Sequence, residues 1–158
     1  MAIDLHIYEA IQLAKDAEQK AAAFYTDASA KTNNPMGKRL FEQLVAFEQY
    51  HYTKLTELED SLRKQGRFIS YQPRELPFSL ILGVEKPLEG NKVSVMGIIN
   101  MAIDLEFRAQ NAYQSLAKEI TDPDGKAMFE RLSKEEQNHF TILSRAAESL
   151  NQRGVWEF

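Results

Sequence analysis

Four long stretches of this chain carry apolar residues at alternating spacings of three and four, the mark of one buried helical face. The first runs from about Asp4 to Thr32 along Ile7, Ile11, Ala14, Glu18, Ala21 and Tyr25. The second, about Asn34 to Gln65, gives Phe41, Leu44, Glu48, His51, Leu55, Leu58 and Leu62. The third begins near Asn91 or Ser94, ends near Ile120, and gives Val95, Ile99, Ala102, Glu106, Ala109, Tyr113 and Leu116. The fourth, about Asp122 to Arg153, gives Phe129, Leu132, Glu136, His139, Leu143, Ala146 and Leu150. Start and stop signals agree with these limits. Asp4, Asn34 and Asp122 are N-cap types, Pro35 and Pro123 suit a first helical turn, and Gly66 and Gly154 suit the residue after a last turn.

The connections are unequal. Those between the first and second and the third and fourth stretches are very short, which predicts two antiparallel helical hairpins, about 4–65 and 92–153. The link at 66–91 contains Pro73, Pro77 and Pro87 and is long enough to run the length of a bundle, with room for a short extended piece at "RFISY". It would set the second and third helices parallel. The expected fold is all-α: one domain over 1–158, an antiparallel four-helix bundle of ferritin-like type with one long crossover between the second and third helices.

Composition narrows the function classes. The chain has 158 residues, 44% of them hydrophobic, enough for a sizeable core. A net charge of −4 supplies no basic face for nucleic acid. The absence of cysteine excludes disulfides, thiolate catalysis and any iron–sulfur cluster held by this chain. The start of the sequence lacks the basic and apolar pattern of a secretory signal, and no apolar run reaches membrane-spanning length. The expected location is the cytoplasm.

The phrases "FEQYHYTK" at 47–54 and "EEQNHFTI" at 135–142 belong to a repeat with a constant offset. Glu48 and Glu136 stand 88 positions apart, as do His51 and His139, Glu18 and Glu106, Tyr25 and Tyr113, Pro35 and Pro123, Gly37 and Gly125, and Phe41 and Phe129. A duplicated hairpin with a pseudo-twofold axis explains this, and a site built by both halves would lie near that axis. Four carboxylates and two imidazoles interrupt otherwise apolar stripes that carry no lysine or arginine. Buried unpaired, each carboxylate would lose several kcal/mol of hydration. Two divalent cations, at +4, balance four glutamates, and Glu and His three apart lie on one helix face and can reach one ion. Other residues read more plainly. Tyr25 and Tyr113 are core residues that can also hydrogen-bond a ligand carboxylate. His6 is surface or structural, Glu135 and Asp104 fall off the stripes and read as solvated, and Trp156 is a packing anchor.

The set Glu18, Glu48-x-x-His51, Glu106 and Glu136-x-x-His139 resembles the rubrerythrin branch of the ferritin-like superfamily, over nearly the whole chain. The resemblance implies a usually dimeric bundle with a non-haem di-iron centre. By position it makes Glu18 and His51 terminal ligands of one iron, Glu106 and His139 of the other, and Glu48 and Glu136 bridges. It differs in two respects. Full-length rubrerythrins add a Cys-rich electron-delivering domain, and they carry a further Glu where this chain has Ala109.

The expected function is therefore that of a di-iron oxidoreductase that reduces hydrogen peroxide or dioxygen with electrons from a separate donor protein, as a homodimer binding neither nucleic acid nor membrane. Manganese or zinc can occupy such oxygen and nitrogen ligands. The alternatives are a ferritin-like ferroxidase or iron-handling protein and a non-catalytic metal-binding bundle.

Overall fold

The computed structural model describes residues 4–74 and 88–158. These residues form four helices: α1 (Leu5–Lys31), α2 (Pro35–Gln65), α3 (Lys92–Glu119) and α4 (Pro123–Arg153). The ends follow the capping chemistry of the sequence. The Asp4 side chain accepts from the His6 amide, Asn34 from the Met36 and Gly37 amides, and Asp122 from the Gly125 amide. Gly66 and Gly154 close α2 and α4 in left-handed backbone at φ 65° and 69°, where a side chain would be strained. Asn91 precedes α3 without capping it; its side-chain Nδ2 instead donates to the Lys31 carbonyl at 3.1 Å, tying the start of α3 to the end of α1.

Two close approaches set the helix directions. A β-carbon on Gly37, at the start of α2, would lie 2.4 Å from the Trp156 ring just beyond α4. One on Gly125, at the start of α4, would lie 2.5 Å from the Phe68 ring just beyond α2. Each of these helices thus begins where the other ends, so α2 and α4 are antiparallel. With α3 antiparallel to α4 across the short turn, α2 and α3 run parallel, as a ferritin-like bundle with one crossover requires. Phe68 and Trp156 also stand 88 positions apart, so the repeat continues past both helix ends.

"RFISY" forms no strand. Residues 67–74 run as irregular chain over the bundle, with Phe68, Ile69 and Tyr71 packed on the core and the Tyr50 hydroxyl donating to the Gln72 carbonyl at 2.6 Å. Pro77 and Pro87 lie outside the described residues. The chain returns at Leu88, which makes one bridge to Val155. Glu89 is buried there and accepts from the Thr32 hydroxyl at 2.6 Å, the Trp156 indole at 2.8 Å and the Asn91 amide at 3.1 Å.

Two apolar cores fill the bundle. One gathers Tyr25, Phe41, Leu44, Ile99, Leu143 and Trp156; the other gathers Ile11, Leu55, Leu58, Tyr113, Phe129 and Leu132. The stripes are buried as expected, except that Ala14, Ala21 and Ala109 are only half-buried. They flank a gap where α1 and α3 fail to close on each other, because alanine reaches too short a distance to fill it.

Candidate metal centre

Each of the four helices presents one buried carboxylate to the middle of the bundle: Glu18 from α1, Glu48 from α2, Glu106 from α3 and Glu136 from α4. His51 and His139 lie one turn beyond Glu48 and Glu136, and both are buried. Ligand atoms of Glu18, Glu48, His51 and Glu136 come within 4.8 Å of one another, and so do those of Glu48, Glu106, Glu136 and His139. Glu48 and Glu136 belong to both groups. All six residues singled out in the sequence are therefore brought together.

The details repeat across the pseudo-twofold. His51 Nδ1 lies 2.8 Å from Glu136 and 3.4 Å from Glu18. His139 Nδ1 lies 3.6 Å from Glu106 and 3.8 Å from Glu48. The Tyr113 hydroxyl donates to Glu18 Oε1, and the Tyr25 hydroxyl to Glu106 Oε1 at 2.6 Å. Each tyrosine thus holds one oxygen of a carboxylate from the other hairpin. The second oxygen, Oε2 of Glu18 and of Glu106, is buried without a hydrogen bond.

Those unsatisfied atoms test whether a metal fits. Glu48 Oε1, Glu136 Oε1 and the Nδ1 atoms of His51 and His139 are likewise buried without hydrogen-bond partners, and they converge on the same space. Such atoms are costly unless something binds them. Oxygen and imidazole donors suit first-row divalent ions, and two such ions would offset four carboxylate charges. The residues fit a bound metal group.

Protonation in the metal-free chain reflects the same crowding. Burial, and then the charges of Glu136, Glu18 and Glu106, push Glu48 well up. Burial and Glu106 do the same to Glu136. Burial also opposes ionisation of Glu106, but hydrogen bonding with Glu136 and the neighbouring His139 and Tyr25 outweigh it and bring its carboxyl down to about 2. Glu18 is lowered, His51 overcoming burial there. Burial disfavours a charged His51, yet Glu18, Glu135 and Glu136 around it raise its pKa. The shared pair Glu48 and Glu136 thus retain protons that cations would displace.

Glu135 corrects the sequence reading. It is buried rather than solvated, at 4% exposure. Its carboxylate accepts from the Tyr71 hydroxyl at 2.6 Å and the Arg74 amide at 2.7 Å, and Oε2 lies 3.4 Å from His51 Nε2. Burial works against its ionisation, but His51 and Tyr71 hold its pKa below the usual carboxylate range. The helical period placed Glu135 off the stripe correctly; the crossover residues covering that flank come from distant sequence. Phe47, also omitted from the stripe, is fully buried with its ring edge-on to His139 at 4.7 Å between centroids. The remaining readings hold. Asp104 is exposed and paired with Arg108 at 2.9 Å, His6 is exposed and lies 3.1 Å from Glu119, and Trp156 is fully buried.

Among the described residues, a cavity and a cleft reach the centre. A cavity of about 200 Å³ between α1 and α3 is walled by Leu13, Ala17, Ala21, Leu105 and Ala109 and ends on the four glutamates. A polar cleft of about 420 Å³ between α1 and α2 is lined by Gln19, Gln49, Tyr52 and Thr53 and ends on Glu18 and Glu48.

Comparison with known proteins agrees with this geometry. Residues 97–156, most of the second hairpin, match the family model for rubrerythrin. A hypothetical protein from Pyrococcus furiosus has the same fold, with a TM-score of 0.73 and 22% identity, over 96% of this chain and 92% of its own. No curated protein matches the chain. The resemblance read from the acid and histidine pattern is borne out to this extent: most of the second hairpin is similar to rubrerythrin, and the four-helix fold is shared over nearly the whole chain.

Proposed function

We propose that this chain is a non-haem di-iron oxidoreductase that reduces hydrogen peroxide or dioxygen with electrons from a separate donor protein. The observation that carries the reading is the overlap of the two donor groups in Glu48 and Glu136. Glu18 and His51 would hold one iron, Glu106 and His139 the other, and the two shared glutamates both. Manganese and zinc are possible occupants of the same donors.

Bound ferrous iron would supply the electrons and open positions for reducing an O–O bond, two electrons and two protons converting peroxide to two waters. The chain's own residues do the rest. Tyr25 and Tyr113 fix one oxygen of each terminal glutamate and leave the other turned to the centre. Burial, and then the adjacent glutamates, push both phenols well above their ordinary pKa, so they remain donors at neutral pH. The cavity between α1 and α3, walled mostly by alanine and leucine with Arg108 also lining it, is of a size that suits a small oxidant. The two apolar cores close the centre off along the bundle axis, above and below it, which leaves access from the sides. Electrons must come from elsewhere, because the chain has no cysteine to hold an iron–sulfur centre. A homodimer and a cytoplasmic location complete the proposal. No helix among the described residues is long and apolar enough to cross a membrane.

A second reading, a ferroxidase or iron-handling protein, draws support from the polar cleft between α1 and α2, a route for a hydrated cation to Glu18 and Glu48. One experiment separates them. Protein purified anaerobically, analysed for metal and loaded with two equivalents of Fe(II) is mixed with peroxide in a stopped-flow instrument, with and without excess Fe(II). Repeated peroxide turnover with an added reductant supports the oxidoreductase. Accumulation of ferric iron beyond two per chain supports iron handling. A loaded protein inert to both oxidants would overturn both.

A further inference from the structure

The two halves of the centre match at all six ligand candidates and at Tyr25 and Tyr113, but differ beside the imidazoles. Glu135 and Phe47 stand 88 positions apart, each immediately before a shared glutamate. Each faces the imidazole of the other hairpin. Glu135 places a carboxylate oxygen 3.4 Å from His51 Nε2, within ion-pair reach although that nitrogen makes no hydrogen bond in the metal-free chain, and Phe47 places a ring edge-on to His139. The pseudo-twofold that equates the six ligand candidates is broken in the next layer.

The break is reinforced from outside the bundle. Tyr71 and the Arg74 amide both donate to Glu135, so residues 71–74 fix it in place and satisfy its charge. The Arg74 guanidinium lies 5.3 Å from the centre of the Phe47 ring, which puts a cation on the His139 side. The Tyr50 hydroxyl bonds Gln72 and anchors the same segment. One imidazole is therefore backed by an anion and the other by a ring with a cation behind it.

The consequence follows from general metal-ligand chemistry. A carboxylate beside the outer nitrogen of a histidine holds the proton on that nitrogen, aims the other at the metal and raises its basicity, and such partners are worth 10- to 100-fold in metal affinity. An aromatic ring does none of this. On the reading of this site as a dinuclear centre, we infer that Glu135 is a positioning residue for His51, and that it makes the two metal positions unequal. The position at Glu18 and His51 fills first and holds its ion more tightly, and the crossover segment at Tyr71–Arg74 keeps it so.

The test is a titration of the full-length apo-protein with Co(II), followed by calorimetry and by the visible absorption of the bound ion. Wild-type protein should bind two equivalents in two steps separated by about 10-fold or more. Glu135→Gln should weaken the first step by about 10- to 100-fold, leave the second within about twofold, and change the visible spectrum of the first ion only. Tyr71→Phe should produce a smaller loss on the same step. His139→Gln should retain the tight first step, and His51→Gln should lose it. Tyr71→Phe removes only an oxygen, so it serves where Glu135→Gln does not fold. Equal weakening of both steps, or two wild-type steps of equal affinity, would overturn the inference while leaving the metal centre standing. Failure of the wild-type chain to bind Co(II) at all would overturn both.

Discussion

The Tyr25 hydroxyl, on α1, donates at 2.6 Å to Glu106, on α3, and the reciprocal bond runs from Tyr113 on α3 to Glu18 on α1. Neither tyrosine serves the carboxylate of its own helix. The two bonds join the hairpins across the gap between α1 and α3, directly beside the candidate metal positions. Tyr25→Phe should weaken binding mainly of the ion at Glu106 and His139, and Tyr113→Phe that of the ion at Glu18 and His51, each by about tenfold. Calorimetric titration of each variant with Co(II) checks this. A variant that weakened only the opposite ion would refute the pairing.

Glu48 and Glu136 are common to both donor groups. Glu48→Ala or Glu136→Ala should therefore lower loading at both positions together. By contrast, Glu18→Ala should spare the ion at Glu106 and His139. Metal content per chain after gel filtration distinguishes these outcomes; full retention of one ion in either shared-glutamate variant would show that the residue does not bridge.

The apo-protein should lose stability as pH rises. Glu48 and Glu136 have folded pKa values raised above the ordinary 4.5 by burial and by the other carboxylates. They keep protons after the unfolded chain has released them, so stability falls as pH climbs from 4.5 through their folded values. His51, raised from 6.5, adds stability that is present below that value and lost as pH passes its folded one. Glu18 and Glu106 act oppositely, but their loss comes on acidification through lowered values, about 2 for Glu106, below the range tested. The loaded protein should instead gain stability with pH as protons cease to compete for its ligands. Thermal unfolding of both forms between about pH 5 and pH 8, where perturbed carboxylates and histidines titrate, should give slopes of opposite sign. Parallel profiles would mean that these glutamates are not a buried cluster held by metal.

Glycine at the start of α2 and α4 makes room for an aromatic ring. Gly→Ala within a helix ordinarily stabilises by about 1 kcal/mol. At Gly37 the added methyl would meet the buried Trp156 ring at 2.4 Å, and at Gly125 the Phe68 ring at 2.5 Å. Both substitutions should therefore destabilise, by about 1–3 kcal/mol as an overpacked core does. Urea unfolding of each variant provides the measurement, and a gain in stability at Gly37 would show that Trp156 is not a fixed anchor.

What the sequence determined by itself is the part governed by local rules. Caps, terminating glycines and a period of 3.6 residues set the helix limits within a residue or two, because hydrogen bonding at a helix end involves neighbours in the chain. The six ligand candidates were legible for a related reason: acids and histidines stand where the period demands apolar residues, and an 88-residue offset repeats the fault. The tertiary structure decided what depends on contacts between remote segments. Glu135 sits one residue from a ligand and off the stripe, and its burial comes from Tyr71 and Arg74, more than sixty positions away. Glu89, read as loop, becomes buried because Thr32, Trp156 and Asn91 converge on it. The half-exposed alanines on the α1 and α3 stripes follow from the distance between two helices, which no single helix encodes. Periodicity tells which side of a helix turns inward; only the packed fold tells what that side, and its flank, will meet.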